Sequence, residues 1–302
     1  MPRSVVSSSI VRLLQAAFLA GVMMTTAVGS VGGVSAGTRT APAPRVTQSP
    51  PDSVTIAAVG DVMLGHTPIL PPDPARYLDL AKADLDDAQI QFGNFEGTLS
   101  TATQSKCGTV PPPCSAYRVP PGYAAYLAAD GFDVLNSANN HSRDFGLRSQ
   151  HQTTAALKKA GILQAGLPGQ IAVYDTGVTK VAFVGFAPYA RTANLLDLPR
   201  ARSLIRAAAA SADLVVVYMH AGAEGADKVH VPTGEEYYVG EDRGNARAFA
   251  HMAVNNGADL VIASGPHVLR GMEFYRHRLI AYSLCRTNAP RESGLQVTCP
   301  PR

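Results

Sequence analysis

Apolar, β-prone runs recur along this chain, helical stretches separate several of them, and most of the runs end in a cluster of polar side chains. Val54-Thr-Ile-Ala-Ala-Val59 leads to Gly60-Asp61, and Gln89-Ile-Gln-Phe92 leads to Asn94-Phe95-Glu96. Phe132-Asp-Val-Leu135 leads to Asn136-Ser137 and on to Asn139-Asn140-His141. Asp213–Tyr218 runs into Met219-His220, and Asp259–Ile262 runs into Ser264-Gly265-Pro266-His267. Helices are expected over 146–160, with Gly161 as the stop, and over 200–210 and 244–256. Val181–Phe186 is a further buried strand, and Met272–Tyr275 with Leu279–Ser283 reads as a hairpin-like pair. The alternation predicts an α/β domain whose inner strands are buried on both faces. The late hairpin predicts a mixed or two-sheet architecture. In open α/β sheets ligands bind beyond the carboxyl ends of the strands, so the polar clusters are expected on one rim.

The first 36 residues stand apart. Arg3 and Arg12 precede a stretch rich in Leu, Ala, Val and Met, and Val34-Ser35-Ala36 offers a small-x-small cleavage site. This reads as a secretory signal peptide, or as a membrane tether if it is not cleaved. Residues 37–53 are polar and proline-rich, as a linker is. The segment 1–36 carries two arginines and no acid, so its removal takes the formal charge from +3 to +1. That balance offers no pull on nucleic acid. Cys107 and Cys114 bracket a short proline-rich loop, and in an exported chain a local disulfide is expected there. A metal pair is disfavoured because the Cys-x-x-Cys spacing is missing.

Hard carboxylates, amide oxygens and imidazoles from five strand ends are the donor set of a metal-centred, hydrolytic site. Alternation sends Asn94 and Glu96 to one face and Phe95 to the other. Asn140 offers a neutral oxygen ligand, and His141 can give a proton to a leaving group. Asp144 is either the partner that fixes the His141 tautomer or an N-cap of the next helix, and the cap is the blander reading. His220 and His267 sit where strands meet turns, with Gly222 and Glu224 beside the first. Arg243 and Arg247, near the start of one helix, could bind an anionic substrate, but surface charge is the preferred reading.

Taken together, Gly60-Asp61-Val-Met-Leu-Gly65, Asn94-Phe-Glu-Gly97, Ala138-Asn-Asn-His141 with Asp144, His220-x-Gly-x-Glu224, Gly265-Pro-His-Val-Leu269 and Tyr282-Ser-Leu284 resemble the CapA-type poly-γ-glutamate capsule biosynthesis proteins. The resemblance runs over residues 54–284. It implies a metallophosphatase-like α/β/β/α sandwich and one or two divalent ions, with Mn, Zn and Fe all suited to such donors. By position, Asp61, Glu96, Asn140, His220 and His267 are the implied ligands and His141 the catalytic group. Asn94, Asp144, Glu224 and Ser264 are the expected supporting residues. The implied partner is a polyanionic polymer, poly-γ-glutamate or another cell-envelope substrate. A non-catalytic accessory that binds the polymer or a membrane synthase complex is the alternative.

Three departures from the family pattern bear on this. Met63 stands where phosphatases of the superfamily carry a histidine, and Ser264-Gly265 replaces a His-His pair. Residues 285–302 do not continue the family's motif and hold two cysteines, three arginines and three prolines. Either the C-terminal end is truncated or frame-shifted, or the tail is strapped by Cys285 and Cys299.

Overall fold

The computed structural model describes residues 53–284, apart from 71, 80–81, 83–84 and 109–113. It also describes the backbone of Val11–Leu13, Arg286–Arg291 and Gly294–Thr298. The strands in chain order are β1 (Val11–Leu13), β2 (Ile56–Met63), β3 (Ile90–Phe95), β4 (Thr98–Leu99), β5 (Arg118–Val119), β6 (Val134–Asn136), β7 (Leu163–Ala165), β8 (Ala172–Asp175) and β9 (Lys180–Phe186). They continue as β10 (Leu214–His220), β11 (Tyr237–Tyr238), β12 (Glu241–Asp242), β13 (Leu260–Ser264), β14 (Met272–Tyr275), β15 (Arg278–Ala281), β16 (Arg286–Arg291) and β17 (Gly294–Thr298). The α-helices are α1 (Ala124–Ala129), α2 (Gly146–Lys159), α3 (Leu198–Ser211) and α4 (Ala246–Asn255).

Two sheets result. The first has the order β17-β16-β2-β3-β6-β7, with β1 also paired to β2, and the second has the order β14-β15-β13-β10-β9-β8. Neighbours within β16-β2-β3-β6-β7 are parallel, as are those within β15-β13-β10-β9. Antiparallel strands β17, β8 and β14 close three of the four edges. The sheets face each other across one apolar layer: Ile56, Ala58, Ile90, Phe92 and Val134 from the first meet Val181, Phe183, Val216, Tyr218 and Ile262 from the second. Phe92 stacks on Phe183 with centroids 5.4 Å apart. Outside, α1 and α2 cover the first sheet with Leu127, Ala156 and Leu157, and α3 and α4 cover the second with Ile205, Ala208 and Phe249. The result is the expected α/β/β/α sandwich, with β2 and β13 buried along their whole length because both faces are covered.

Several boundaries differ from those expected. The first strand runs four residues further, through Met63, so Asp61 lies inside β2 and not beyond its end. The pairing of β2 with β3 slips between Ala58 and Asp61, which brings Asp61 into register with Asn94. The hairpin of β14 and β15 forms, and Arg276 and His277 at its turn both have φ near +50–60° (48° and 63°). That is the primed-turn geometry that matches strand twist. The segment read as a signal peptide lies outside the described residues except for Val11–Leu13, whose backbone pairs in parallel with Ile56–Ala58. The linker, except Ser53, and the cysteines of the tail, Cys285 and Cys299, also lie outside them. Past Leu284, β16 and β17 extend the first sheet. No helix among the described residues is long and apolar enough to cross a membrane.

Candidate metal centre

Strand ends β2, β3 and β6 of the first sheet and β10 and β13 of the second bring their polar clusters to one rim. Asp61, Asn94 and His220 are fully buried, and Glu96 is 1% exposed. Ligand atoms of Asp61, Glu96 and His267 all lie within 4.8 Å of one another. His267 Nε2 is 3.7 Å from Asp61 Oδ2 and 3.6 Å from Glu96 Oε1. His220 Nδ1 approaches the other oxygen of Asp61 at 3.6 Å. His141 Nε2 is 3.8 Å from Glu96 Oε1.

Asp61 is asymmetrically committed. Its Oδ1 accepts from Asn94 Nδ2 at 2.7 Å, from the Ser264 hydroxyl and, at 3.4 Å, from the Tyr218 hydroxyl. Its Oδ2 is buried without a hydrogen-bond partner among the described residues, as are Asn140 Oδ1 and His220 Nε2. Buried polar atoms left this way cost free energy unless something else satisfies them. A cation does so for oxygen and imidazole donors together, and the residues present fit one. Burial and the neighbouring Glu96 push the Asp61 carboxyl upward, but the contact with His220 and the charges of His220 and His267 outweigh them. Asp61 is therefore held below its ordinary range and is anionic at neutral pH. Burial, with Asp61 nearby, drives the Tyr218 phenol well above its usual value, so it remains a donor.

The His141 loop is fixed from several sides. Asn139 Nδ2 bonds Asn94 Oδ1 at 3.1 Å and the Phe95 carbonyl at 2.8 Å, and its Oδ1 accepts from the His141 amide at 2.9 Å. Asp144 accepts from the Tyr117 amide at 2.6 Å, contacts His141 Nδ1 at 2.7 Å and pairs with Lys106 Nζ at 2.6 Å. The cap reading of Asp144 gives way to the tautomer-fixing one: Phe145 holds the N-cap position of α2, without a side-chain bond. Lys106 is carried next to Cys107, which is bridged to Cys114. Asn136 completes the floor. It donates to Asn94 Oδ1 at 2.6 Å and reaches the second sheet at Gly185, where a Cβ would collide with its amide oxygen.

On the far side, Glu224 Oε2 lies 3.4 Å from His267 Nδ1, and Glu224 Oε1 pairs with Arg243 Nη2 at 2.8 Å. Arg243 is buried, with 1% of its side chain exposed, which corrects its reading as surface charge. Sequence reasoning missed four neighbouring groups in this role: Lys106, Arg191, Tyr218 and Arg243. For Tyr218 a signal existed, since period-2 alternation puts it on the face of His220. Arg191 lays its guanidinium over Tyr189 at 4.1 Å and donates to the Asn140 carbonyl at 3.0 Å.

Comparison with known proteins gives the family. A protein of unknown function, y4sH of Sinorhizobium fredii, is 27% identical over 77% of this chain and 65% of its own length. The PGA biosynthesis protein CapA of Bacillus subtilis is 30% identical over 51% of this chain and 41% of its own. The chain therefore spans less than two thirds of these relatives. A solved structure of a candidate 5'-nucleotidase from Staphylococcus aureus, in complex with alpha-ketoglutarate, has a TM-score of 0.45 at 12% identity, over 75% of this chain and 48% of that one. A likeness that loose carries no argument. Residues 55–286 match the profile of the bacterial capsule synthesis protein PGA_cap, and this chain belongs to that family.

Proposed function

We propose that this chain is an exported, metal-dependent hydrolase of capsule metabolism that acts on an anionic cell-envelope polymer, with poly-γ-glutamate the first to test. The observation that carries the reading is the convergence of Asp61, Glu96 and His267 within 4.8 Å, beside the unpartnered Asp61 Oδ2. Asp61, Glu96 and His267 would hold one divalent ion, with His220 and Asn140 as further donors. Such an ion supplies a water of lowered pKa, about 7 in place of 15.7.

The chain's own residues would do the rest. Asp144 holds His141 Nδ1, which leaves Nε2 facing Glu96 and the reacting centre, placed to protonate a departing group. Lys106 balances the Asp144 charge. Lys106 and Arg191 both donate to the Asn140 carbonyl and put positive charge at the rim, where an anionic chain is drawn in.

The accessory reading has one observation in its favour. Ser264 occupies the place of a family histidine and ties up Asp61 Oδ1 instead of offering a ligand. Elemental analysis of protein purified without chelator, followed by hydrolysis assays on phosphoesters and γ-glutamyl peptides, separates the two. The enzyme reading expects near-stoichiometric metal, and a His141→Ala variant that keeps its metal and loses turnover. Metal-free protein that still binds poly-γ-glutamate establishes the accessory.

A further inference from the structure

We propose that Arg243 is a positioning residue of the metal centre, acting through Glu224 on His267. The inference rests on the reading of Asp61, Glu96 and His267 as a cation site. A continuous set of contacts links the buried guanidinium to the candidate donor atom. Arg243 Nη2 meets Glu224 Oε1 at 2.8 Å, Glu224 Oε2 meets His267 Nδ1 at 3.4 Å, and His267 Nε2 points at Asp61 and Glu96.

An imidazole has two nitrogens, and the one left for a metal is decided by what the other one bonds. With Glu224 Oε2 facing Nδ1 at 3.4 Å, the tautomer that carries its proton on Nδ1 is favoured, and it leaves the Nε2 lone pair on the side of Asp61 and Glu96. A glutamate on a loop samples several rotamers unless something holds it. Here one arm of the planar guanidinium, Nη2, does so, and the other arm is itself held. Arg243 Nη1 donates to the Tyr189 hydroxyl and to Glu241 Oε2, both at 3.2 Å.

The loop carrying Glu224 is pinned to the same region. The Gly222 amide donates to the Arg243 carbonyl at 3.0 Å, and the Arg243 amide to the Glu236 carbonyl at 2.8 Å. Arg270 grips both oxygens of Glu236, at 2.9 and 2.7 Å, and Glu236 Oε1 accepts from the Ala223 amide at 3.1 Å. His267 meanwhile sits at φ 60°, a left-handed conformation that non-glycine residues seldom adopt and that tends to mark functional sites. A strained backbone and a clamped carboxylate both aim one ring nitrogen at the donor cluster.

The test titrates Zn²⁺ or Mn²⁺ alone into chelator-treated full-length chain and reads the dissociation constant by calorimetry. The variants are Arg243→Met, Arg243→Lys, Glu224→Gln and the double variant Arg243→Met/Glu224→Gln, with folding checked by circular dichroism. Loss of such an outer contact weakens metal binding by roughly 10–100-fold, and Arg243→Met should fall in that range. Arg243→Lys, which keeps the charge without the fork, should recover part of the loss. With Glu224 already Gln, removing Arg243 should change the affinity by no more than about twofold, because its effect passes through that carboxylate.

Unchanged affinity in the single variants, or equal losses in both Glu224 backgrounds, overturns the inference. If the Met variant does not fold, Arg243→Lys alone and Arg243→Lys combined with Glu224→Gln decide by the same comparison. Wild-type protein that binds neither ion overturns the cation site and this inference together. Wild-type binding that the variants leave untouched overturns this inference alone.

Discussion

Glu96→Gln should act with opposite sign on the metal-free and metal-loaded protein. Glu96 is 1% exposed, and its ligand atom lies within 4.8 Å of that of Asp61. Two like charges about 5 Å apart repel by about 3 kcal/mol at an effective dielectric of about 20. His267 at 3.6 Å and His141 at 3.8 Å offset part of this. Removing the charge should therefore leave the metal-free protein as stable as before, or more stable by about 1–2 kcal/mol. With metal the sign reverses. A ligand at a hundred times its Kd adds about 2.7 kcal/mol. For a domain of this size each kcal/mol moves Tm by about 2–4 °C, so wild-type protein should gain roughly 5–11 °C. In the variant a neutral amide replaces an anionic donor, and the gain should shrink to about 2 °C or less. Scanning calorimetry of chelator-treated protein, with and without Zn²⁺ or Mn²⁺, reads both signs. A metal-free variant that loses more than about 2 kcal/mol, together with a retained metal response, would make Glu96 the structural partner of the two histidines and refute the argument.

Asp130 gives a pH test away from the centre. Burial raises its carboxyl to about 6, so the fold favours the protonated form. That contribution is full below the unfolded value and is lost as pH rises through about 6. Asp130→Asn should therefore stabilise the protein at about pH 8, by about 1 kcal/mol after allowing for solvent screening, and have no such effect near pH 3.5; equal gains at both pH values in urea unfolding would contradict this. Phe92→Ala opens a hole between the sheets, where the ring stacks on Phe183 and lies 5.6 Å from Tyr218. The expected cost is about 3–5 kcal/mol by urea unfolding, and a loss below about 1 kcal/mol would mean that the two sheets can collapse onto the gap.

Long apolar runs made the inner strands legible. Val215–Tyr218 and Leu260–Ile262 have no reading other than buried strand, because helices flank them and no polar position interrupts them. Leu163–Ala165 and Ala172–Asp175 were missed because three or four residues carry too little period to separate strand from turn. Candidate donors were legible because each follows such a run. Their partners were not. Arg243 sits in Gly240-Glu-Asp-Arg-Gly244, a polar stretch with no period, and its burial comes from tertiary contacts with Glu224, Tyr189 and Glu241. Lys106 reaches Asp144 only because a loop folds back over the rim, with its backbone amide on the Asp144 carbonyl at 2.7 Å. Asp144 itself shows the limit of local rules: helix-start spacing favoured a cap, whereas Phe145 takes that position and the carboxylate pairs with His141 and with a lysine 38 positions upstream.

Asp61 and Glu96 hang from one sheet, whereas His220 and His267 hang from the other. An ion gripped by both groups would behave as a rivet across the seam of the sandwich. Sliding one layer past the other by an ångström would spoil the grip, so occupancy would report on how the layers are aligned. The carboxylates come from one layer and the imidazoles from the other, so the grip depends on both layers being in place.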